Sequence, residues 1–309
     1  MIYFFKLIRW KNLIMIALMQ YLIKYALLLP FFESHGVVTT LSHLGFALLV
    51  LATICIAAGG YVINDIYDIE IDKINKPKQL IISKYISEKN ALTLFIILNV
   101  IGVGSGYYLS NGIGKPGFFV IFIIASALLY IYSSYLKQLL LIGNIVVSLI
   151  VMLSILLVGV FELLPAITPN NLIIQNTFFK IILDYAIFAF LINLVRELVK
   201  DIEDIDGDYK GGLQTLPIIV GRERTNKIVF GLSLLPIFAV VYYVITYLFK
   251  QIEVVSYFLI LVVAPLIYIS IKLFSAEQKS DYKHISLMLK LVMLTGMLSM
   301  LLYKFILLK

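Results

Sequence analysis

Nine stretches of about twenty mostly apolar residues run through this chain, at about 13–32, 41–63, 91–110, 117–136, 139–160, 178–199, 228–248, 254–273 and 286–307. Each is long enough to cross a hydrocarbon core ~30 Å thick as a helix. In lipid, every backbone N–H and C=O must be satisfied within the protein, so runs of this length predict helices. The chain therefore reads as an all-α, polytopic membrane bundle of about nine transmembrane helices, with residues 1–309 as one domain. A soluble alternative is excluded by composition. Only 14% of the 309 residues are charged and 61% are hydrophobic, against roughly a quarter charged in soluble domains. The fourth and fifth runs divide at Ser133 to Gln138, because one span over 117–160 would be twice the bilayer thickness. The first run follows Lys6, Arg9 and Lys11 and is too long for a signal-peptide core, so it reads as a span.

Lysine and arginine orient the bundle. With the N-terminus in the cytoplasm, eighteen of the 25 basic residues fall on that side: Lys6, Arg9, Lys11, Lys73, Lys76, Lys78, Lys84, Lys89, Lys137, Arg196, Lys200, Lys210, Arg222, Arg224, Lys227, Lys272, Lys279 and Lys283. Lys115, Lys180, Lys250, Lys304 and Lys309 fall opposite, and Lys24 and Lys290 lie within spans. The expectation is a multi-pass cell-membrane protein. The net charge of +7 is spread over short loops, which gives no nucleic-acid signal. The single cysteine, Cys55, sits in an apolar run and makes no intrachain disulfide.

Two long loops, about 64–90 and 200–227, are expected to be cytoplasmic, and both are acidic as well as basic. The first opens with Asn64, Asp65, Asp68 and Asp72. On a helix these project at about 0°, 100°, 40° and 80°, within one face, while Glu70 points away at about 240°. The second contains Asn193, Arg196, Glu197, Lys200, Asp201, Asp204 and Asp208. These form a stripe about 140° wide, with Asp206 behind it and Gly207 a candidate helix end. Like charges crowded on one face are unfavourable without a cation. Mg²⁺ takes hard oxygen ligands, usually one or two carboxylates plus substrate phosphates. A lone acidic loop is ordinarily just solvated. Two such loops, each beginning at a span end and confined to one face, point to metal binding by Asn64, Asp65, Asp68, Asp72, Asp201, Asp204 and Asp208. Glu70 and Asp206 are left to solvent. Asp68 to Asp204 is four spans, which suggests two four-helix pseudo-repeats plus a final helix.

Other signals are weaker. Tyr130 to Lys137 reads either as an interfacial aromatic belt with a snorkelling lysine or as Tyr132 and Lys137 meeting a cation and a phosphate. Arg196 starts inside the sixth span, where charge is costly and a functional role is expected. Glu197 lies ~100° around the helix and is an imperfect partner for it. Lys24 is expected to snorkel outward and Gln20 to face inward. Ala57 to Gly60 are read as close helix packing. His35, His43 and His284 lack metal-ligand spacing.

These residues resemble the UbiA superfamily of intramembrane prenyltransferases. Its Asn-Asp-x-x-Asp-x-x-x-Asp motif matches Asn64, Asp65, Asp68 and Asp72, and its Asp-x-x-x-Asp motif matches Asp204 and Asp208. Arg9-x-x-Asn12, Tyr132-Ser133 with Lys137, and Gly143-Asn144 also look like the family, although Trp10 stands where a proline often follows the arginine. Within it, Lys200 to Asp208 followed by Thr215-Leu-Pro217 is most similar to the digeranylgeranylglyceryl phosphate synthases; homogentisate prenyltransferases and chlorophyll synthases carry similar patterns. The resemblance implies Mg²⁺-dependent transfer of a prenyl group from an isoprenoid diphosphate to a lipophilic acceptor, with geranylgeranylglyceryl phosphate the first choice. An aromatic quinone- or tocopherol-type acceptor or chlorophyllide is the alternative. It implies catalysis by Asp68, Asp72, Asp204 and Asp208, and substrate binding by Asn12, Asn64, Tyr132, Lys137, Asn144, Arg196 and Lys200. The expected partners are these substrates and membrane lipids, with no nucleic acid and no obligate protein partner. A cation-coupled transporter is the rival from another class, but its acids belong near the midplane, not at one membrane face.

Overall fold

A computed structural model describes residues 2–77 and 80–307. Lys78 and Lys309, both counted in the charge asymmetry, lie outside the described residues. Nine helices among the described residues are long and apolar enough to span: α1 Trp10–His35, α2 His43–Tyr67, α3 Glu88–Gly112, α4 Pro116–Ser134, α5 Ile142–Ala166, α6 Leu172–Glu203, α7 Arg222–Leu248, α8 Ile252–Ser275 and α9 Lys279–Ile306. Each expected span overlaps one of them. Boundaries differ by up to several residues because polar caps extend the helices past the apolar runs. Ser42 accepts from the Gly45 N–H at 3.2 Å and Ser87 from the Asn90 N–H at 3.2 Å. Gln278 and Asp281 cap each other's backbone at the start of α9.

Small residues bring the helices together. A Cβ on Gly106 of α3 would lie 2.3 Å from the Phe122 ring of α4, and one on Gly60 of α2 would lie 2.9 Å from Leu129 of α4. The small-residue run is therefore packing, as expected. Two large apolar clusters result. One is built mainly from α1, α2, α5 and α6, and the other from α6 to α9. α6 belongs to both and joins them. Apolar side chains such as Leu44, Ile173, Phe238 and Phe274 are more than 60% exposed on the outside, as a lipid-facing surface requires.

Both acidic motifs sit where a helix breaks. α2 ends at Tyr67 and a short helix resumes at Ile69–Asn75, with Asp68 between them at φ −95°, ψ 6°. α6 ends at Glu203 and a short helix resumes at Ile205–Lys210, with Asp204 between them at φ −101°, ψ 8°. Four-residue backbone bonds meet at each break residue: Asp68 N–H to Asn64 O at 2.9 Å and Asp72 N–H to Asp68 O at 2.8 Å, then Asp204 N–H to Lys200 O at 2.8 Å and Asp208 N–H to Asp204 O at 3.2 Å. The side-chain phase is thereby nearly preserved. Gly207 does not end a helix as expected, since the second short helix continues through it to Lys210.

Lys24 overturns the snorkelling expectation. It is 1% exposed, and its ammonium donates to Glu162 Oε1 at 2.6 Å and to the Leu41 carbonyl at 2.6 Å. Glu162, itself fully buried, accepts the Leu41 N–H at 3.1 Å. A buried countercharge on α5 removes the reason to reach for water. Gln20 faces inward as expected, donating to Thr53 at 3.1 Å and to the Ser154 carbonyl at 2.8 Å.

Candidate active site

One cavity of about 920 Å³ gathers the motifs. Asn12, Asn64, Asp65, Asp68, Asp72, Tyr132, Lys137, Asn144, Arg196, Lys200, Asp201, Asp204 and Asp208 all line it. Glu70 lies outside, 81% exposed and paired with Lys73. Asp206 is exposed and also outside. Deeper walls are apolar and include Ile56, Phe122, Ile150 and Leu157. The cavity is thus acidic at one end of the bundle and greasy within it.

The chain reaches this geometry by local devices. Gly143 lets the start of α5 pass the Lys137 turn, since a Cβ there would sit 2.8 Å from Lys137 Cα and 3.3 Å from the Tyr132 ring. That approach sets Tyr132, Lys137 and Asn144 on one wall. Asn75 joins the two motifs. Its Nδ2 donates to the Asp204 carbonyl at 2.8 Å, and its Oδ1 accepts the Gly207 N–H at 2.9 Å. A side chain at Gly207 has no room, because its Cβ would lie 2.4 Å from the Asn75 amide.

Each motif is partly neutralised from elsewhere in the fold. Arg9 donates to Asp65 at 2.8 Å, with its guanidinium 4.8 Å from the Tyr61 ring centre. Lys137 pairs with Asp68. Lys76, from the first motif's loop, pairs with Asp204 of the second at 2.6 Å. Asn144 donates to Asp201 at 2.8 Å. Lys279 also approaches Asp204 Oδ1 at 3.9 Å. Six carboxylates thus face four paired cations, and an excess of negative charge remains. Burial pushes the Asp208 carboxyl up to about 7, with Asp204 and Asp68 adding to the effect. Burial likewise raises Asp72 to about 6, against the pull of Lys76. Both shifts mark carboxylates that gain from a nearby cation.

Arg196 departs from expectation. Its Nη1 donates to Glu197 Oε1 at 2.8 Å despite the angular separation. Long side chains on adjacent residues span that arc. Lys200 binds the same carboxylate at 3.0 Å. Arg9, Asn75, Lys76 and Lys290 also line the cavity, with no site role expected for them from the sequence. Arg9-x-x-Asn12 carried a signal for the first. The others show only once distant segments meet.

The donor set fits Mg²⁺. Among the described residues no three carboxylates, cysteines or histidines close into a ready cage. Mg²⁺ does not need one, since it takes few carboxylates and completes its shell with water and phosphate oxygens. Asn64 Oδ1 and Asp204 Oδ1, one on each motif, are buried without a hydrogen-bond partner among the described residues.

Nine spanning helices with paired acidic motifs at the head of an apolar cavity define the architecture of the intramembrane prenyltransferase class. The profile of the UbiA prenyltransferase family matches residues 25–303, and the chain belongs to that family. Curated relatives include the digeranylgeranylglyceryl phosphate synthases of Thermococcus kodakarensis, 36% identical over 60% of each chain, and Sulfolobus acidocaldarius, 40% identical over 60% of this chain and 62% of the relative. These two matches span about three-fifths of the relatives' length. That of Methanosphaera stadtmanae is 35% identical over 81% of this chain and 86% of its own. A solved structure concerned with digeranylgeranylglyceryl phosphate synthase aligns over 97% of this chain and 98% of its own at 25% identity, with a TM-score of 0.62. A UbiA homologue from Archaeoglobus fulgidus, solved with GPP and Mg²⁺, shares the fold at 18% identity, with a TM-score of 0.61 over 96% of this chain and 99% of that one.

Proposed function

We propose that this protein transfers a geranylgeranyl group from its diphosphate to geranylgeranylglyceryl phosphate, releasing pyrophosphate. The observation that carries the proposal is the meeting of two Asp motifs over one apolar cavity, bridged by the 2.6 Å Lys76–Asp204 pair. The relatives' names supply the substrates. Asn64, Asp65, Asp68, Asp72, Asp201, Asp204 and Asp208 are the residues that would hold Mg²⁺. Bound there, Mg²⁺ supplies countercharge for the diphosphate as a leaving group.

The protein's own residues do the rest. Lys137 and Lys76, each already beside an aspartate, lie within reach of a diphosphate held by those aspartates. The apolar wall takes the prenyl tail, at about 0.8 kcal/mol per buried CH₂. It also keeps water from the allylic carbon, and Tyr132 offers a ring face to positive charge developing there. As the allylic C–O bond breaks, its electron pair leaves with the diphosphate. The acceptor hydroxyl forms the new ether bond, and its proton departs with the products. We place the motifs on the cytoplasmic side, on the strength of the lysine and arginine asymmetry. We also read the matching breaks at Asp68 and Asp204 as the trace of a duplicated four-helix unit.

Purified protein, given labelled geranylgeranyl diphosphate and a panel of acceptors, tests this. Mg²⁺-dependent transfer to geranylgeranylglyceryl phosphate is expected. Transfer only to aromatic acceptors or chlorophyllide would overturn the acceptor assignment, and no transfer to any acceptor would overturn the reaction.

A further inference from the structure

The cavity holds a second, oppositely charged region. Arg196 and Lys200 on α6 share one carboxylate, Glu197. Lys290 on α9 also lines the cavity, donates to Asn12 Oδ1 at 3.3 Å and forms no ion pair among the described residues. The charges that act on it include the positive Arg196, Lys200 and Arg9 and the negative Glu197. Arg9 is committed to Asp65, and Asp201 is held by Asn144 on the acidic side. Three cations against one carboxylate leave two positive charges in a site where Arg196 is only 11% exposed. Arg196 Nε is also buried with no hydrogen-bond partner among the described residues.

Excess charge of one sign in a low-dielectric cavity calls for a counter-ion. The excess here matches a phosphate monoester, which carries about −1.5 to −2 at neutral pH. Arg196 lies eight residues before Asp204, ~12 Å deeper along the helix. Lys290 comes from a helix that carries no acidic motif. These cations are therefore set apart from the aspartates that would hold a metal-bound diphosphate. Two anionic groups in one cavity need separate countercharges, and the cavity has two regions of opposite sign.

We propose that Arg196 and Lys290, with Asn12 fixing the lysine, form the binding site for the phosphate monoester of the acceptor. They thereby select a phosphorylated lipid over a neutral aromatic one. This deepens the function proposed above and rests on it for the acceptor's identity.

The test measures equilibrium binding to the protein in phosphatidylcholine nanodiscs, without donor or Mg²⁺. The probes are geranylgeranylglyceryl phosphate and the unphosphorylated geranylgeranylglycerol. Wild type is expected to prefer the phosphate by about ten- to a hundredfold, the range for charged hydrogen bonds. Lys290→Met and Arg196→Met should each bring the ratio toward one, while Lys290→Arg retains it and controls for folding. Affinity for geranylgeranyl diphosphate, measured with Mg²⁺, should change less than twofold in Lys290→Met. An unaltered phosphate preference in Lys290→Met overturns the assignment. So does an equal loss of diphosphate affinity, which would give these cations to the donor. Equal competition by phosphatidic acid would make it a general lipid-phosphate site and overturn acceptor selection. If turnover is absent but Lys290-dependent binding persists, the reaction falls and the anion site stands.

Discussion

The buried pair between Lys24 and Glu162 makes a prediction with opposite signs for its two halves. The partners are 1% and 0% exposed and 2.6 Å apart. Lys24 also binds the Leu41 carbonyl and lies 5.1 Å from the Phe46 ring centre, while Glu162 accepts the Leu41 N–H. Lys24→Met strands a carboxylate, which can escape by taking a proton. Glu162→Gln strands an ammonium while keeping an acceptor for Leu41. Each single variant should lose ~3–5 kcal/mol, the range for breaking a buried pair.

The pH dependence follows from which state holds the proton. The stranded carboxyl is neutral only when protonated, so acid helps Lys24→Met by up to ~1.4 kcal/mol per pH unit. The stranded lysine is neutral only when deprotonated, so acid harms Glu162→Gln by a similar amount per unit. The double variant should be less destabilised than the sum of the singles. Equilibrium unfolding in mixed micelles between pH 6 and 8 reads all of this. Single variants within ~1 kcal/mol of wild type, or slopes of the same sign, would refute the account of the pair as a buried, ionised lock.

Other outcomes follow from the site. Asp68→Ala and Asp204→Ala should each lower kcat more than ~100-fold with expression intact, whereas Asp206→Ala, which lies outside the cavity, should change it less than about threefold; a more damaging Asp206→Ala in the radiolabel assay would break the helical-face assignment. Gly207→Ala should displace Asn75 from between the motifs and raise the Mg²⁺ concentration needed for half-maximal activity, and wild-type Mg²⁺ dependence in that variant would show that the clasp does not matter. Because Asp208 and Asp72 titrate at about 7 and about 6, protons should compete with the metal, so the Mg²⁺ requirement should rise as pH falls from 8 to 6; a flat Mg²⁺ titration over that range would contradict their role as ligands. Cysteines placed at residues 70 and 206 should label from the same membrane side as one at residue 6, and labelling of either from the other side would reverse the proposed topology.

The helices were legible because lipid leaves the backbone few options, and length with apolarity is then enough. Their ends were less so, since Ser42, Ser87 and the Gln278–Asp281 capping box act through local cap contacts that a hydropathy window averages away. Lys24 shows the deeper limit. Its partner lies 138 residues away, and no local pattern distinguishes a lysine that snorkels from one that meets a buried carboxylate.

The acidic face was legible for a reason the fold makes plain. Asp68 and Asp204 leave helical geometry, yet four-residue backbone bonds run from Asp72 to Asp68 to Asn64 and from Asp208 to Asp204 to Lys200, so the register is held on both sides of each break. A phase calculated for an unbroken helix therefore still sorts Asp72 from Glu70 and Asp208 from Asp206. On the basic side Arg196 and Lys200 shared the α6 stripe, but Lys290 offered no such register. Asn12 and Lys290 meet across 278 residues, and a single lysine in an apolar span has no phase to compare. Asn75 is similar, since its importance lies in bonding the backbone of Asp204 and Gly207 across about 130 residues. Periodicity reveals residues that act with near neighbours on one helix. Groups that complete a site from another segment become visible only when charge and hydrogen bonding are followed through space, and in this cavity Asn75, Lys76 and Lys290 are such groups.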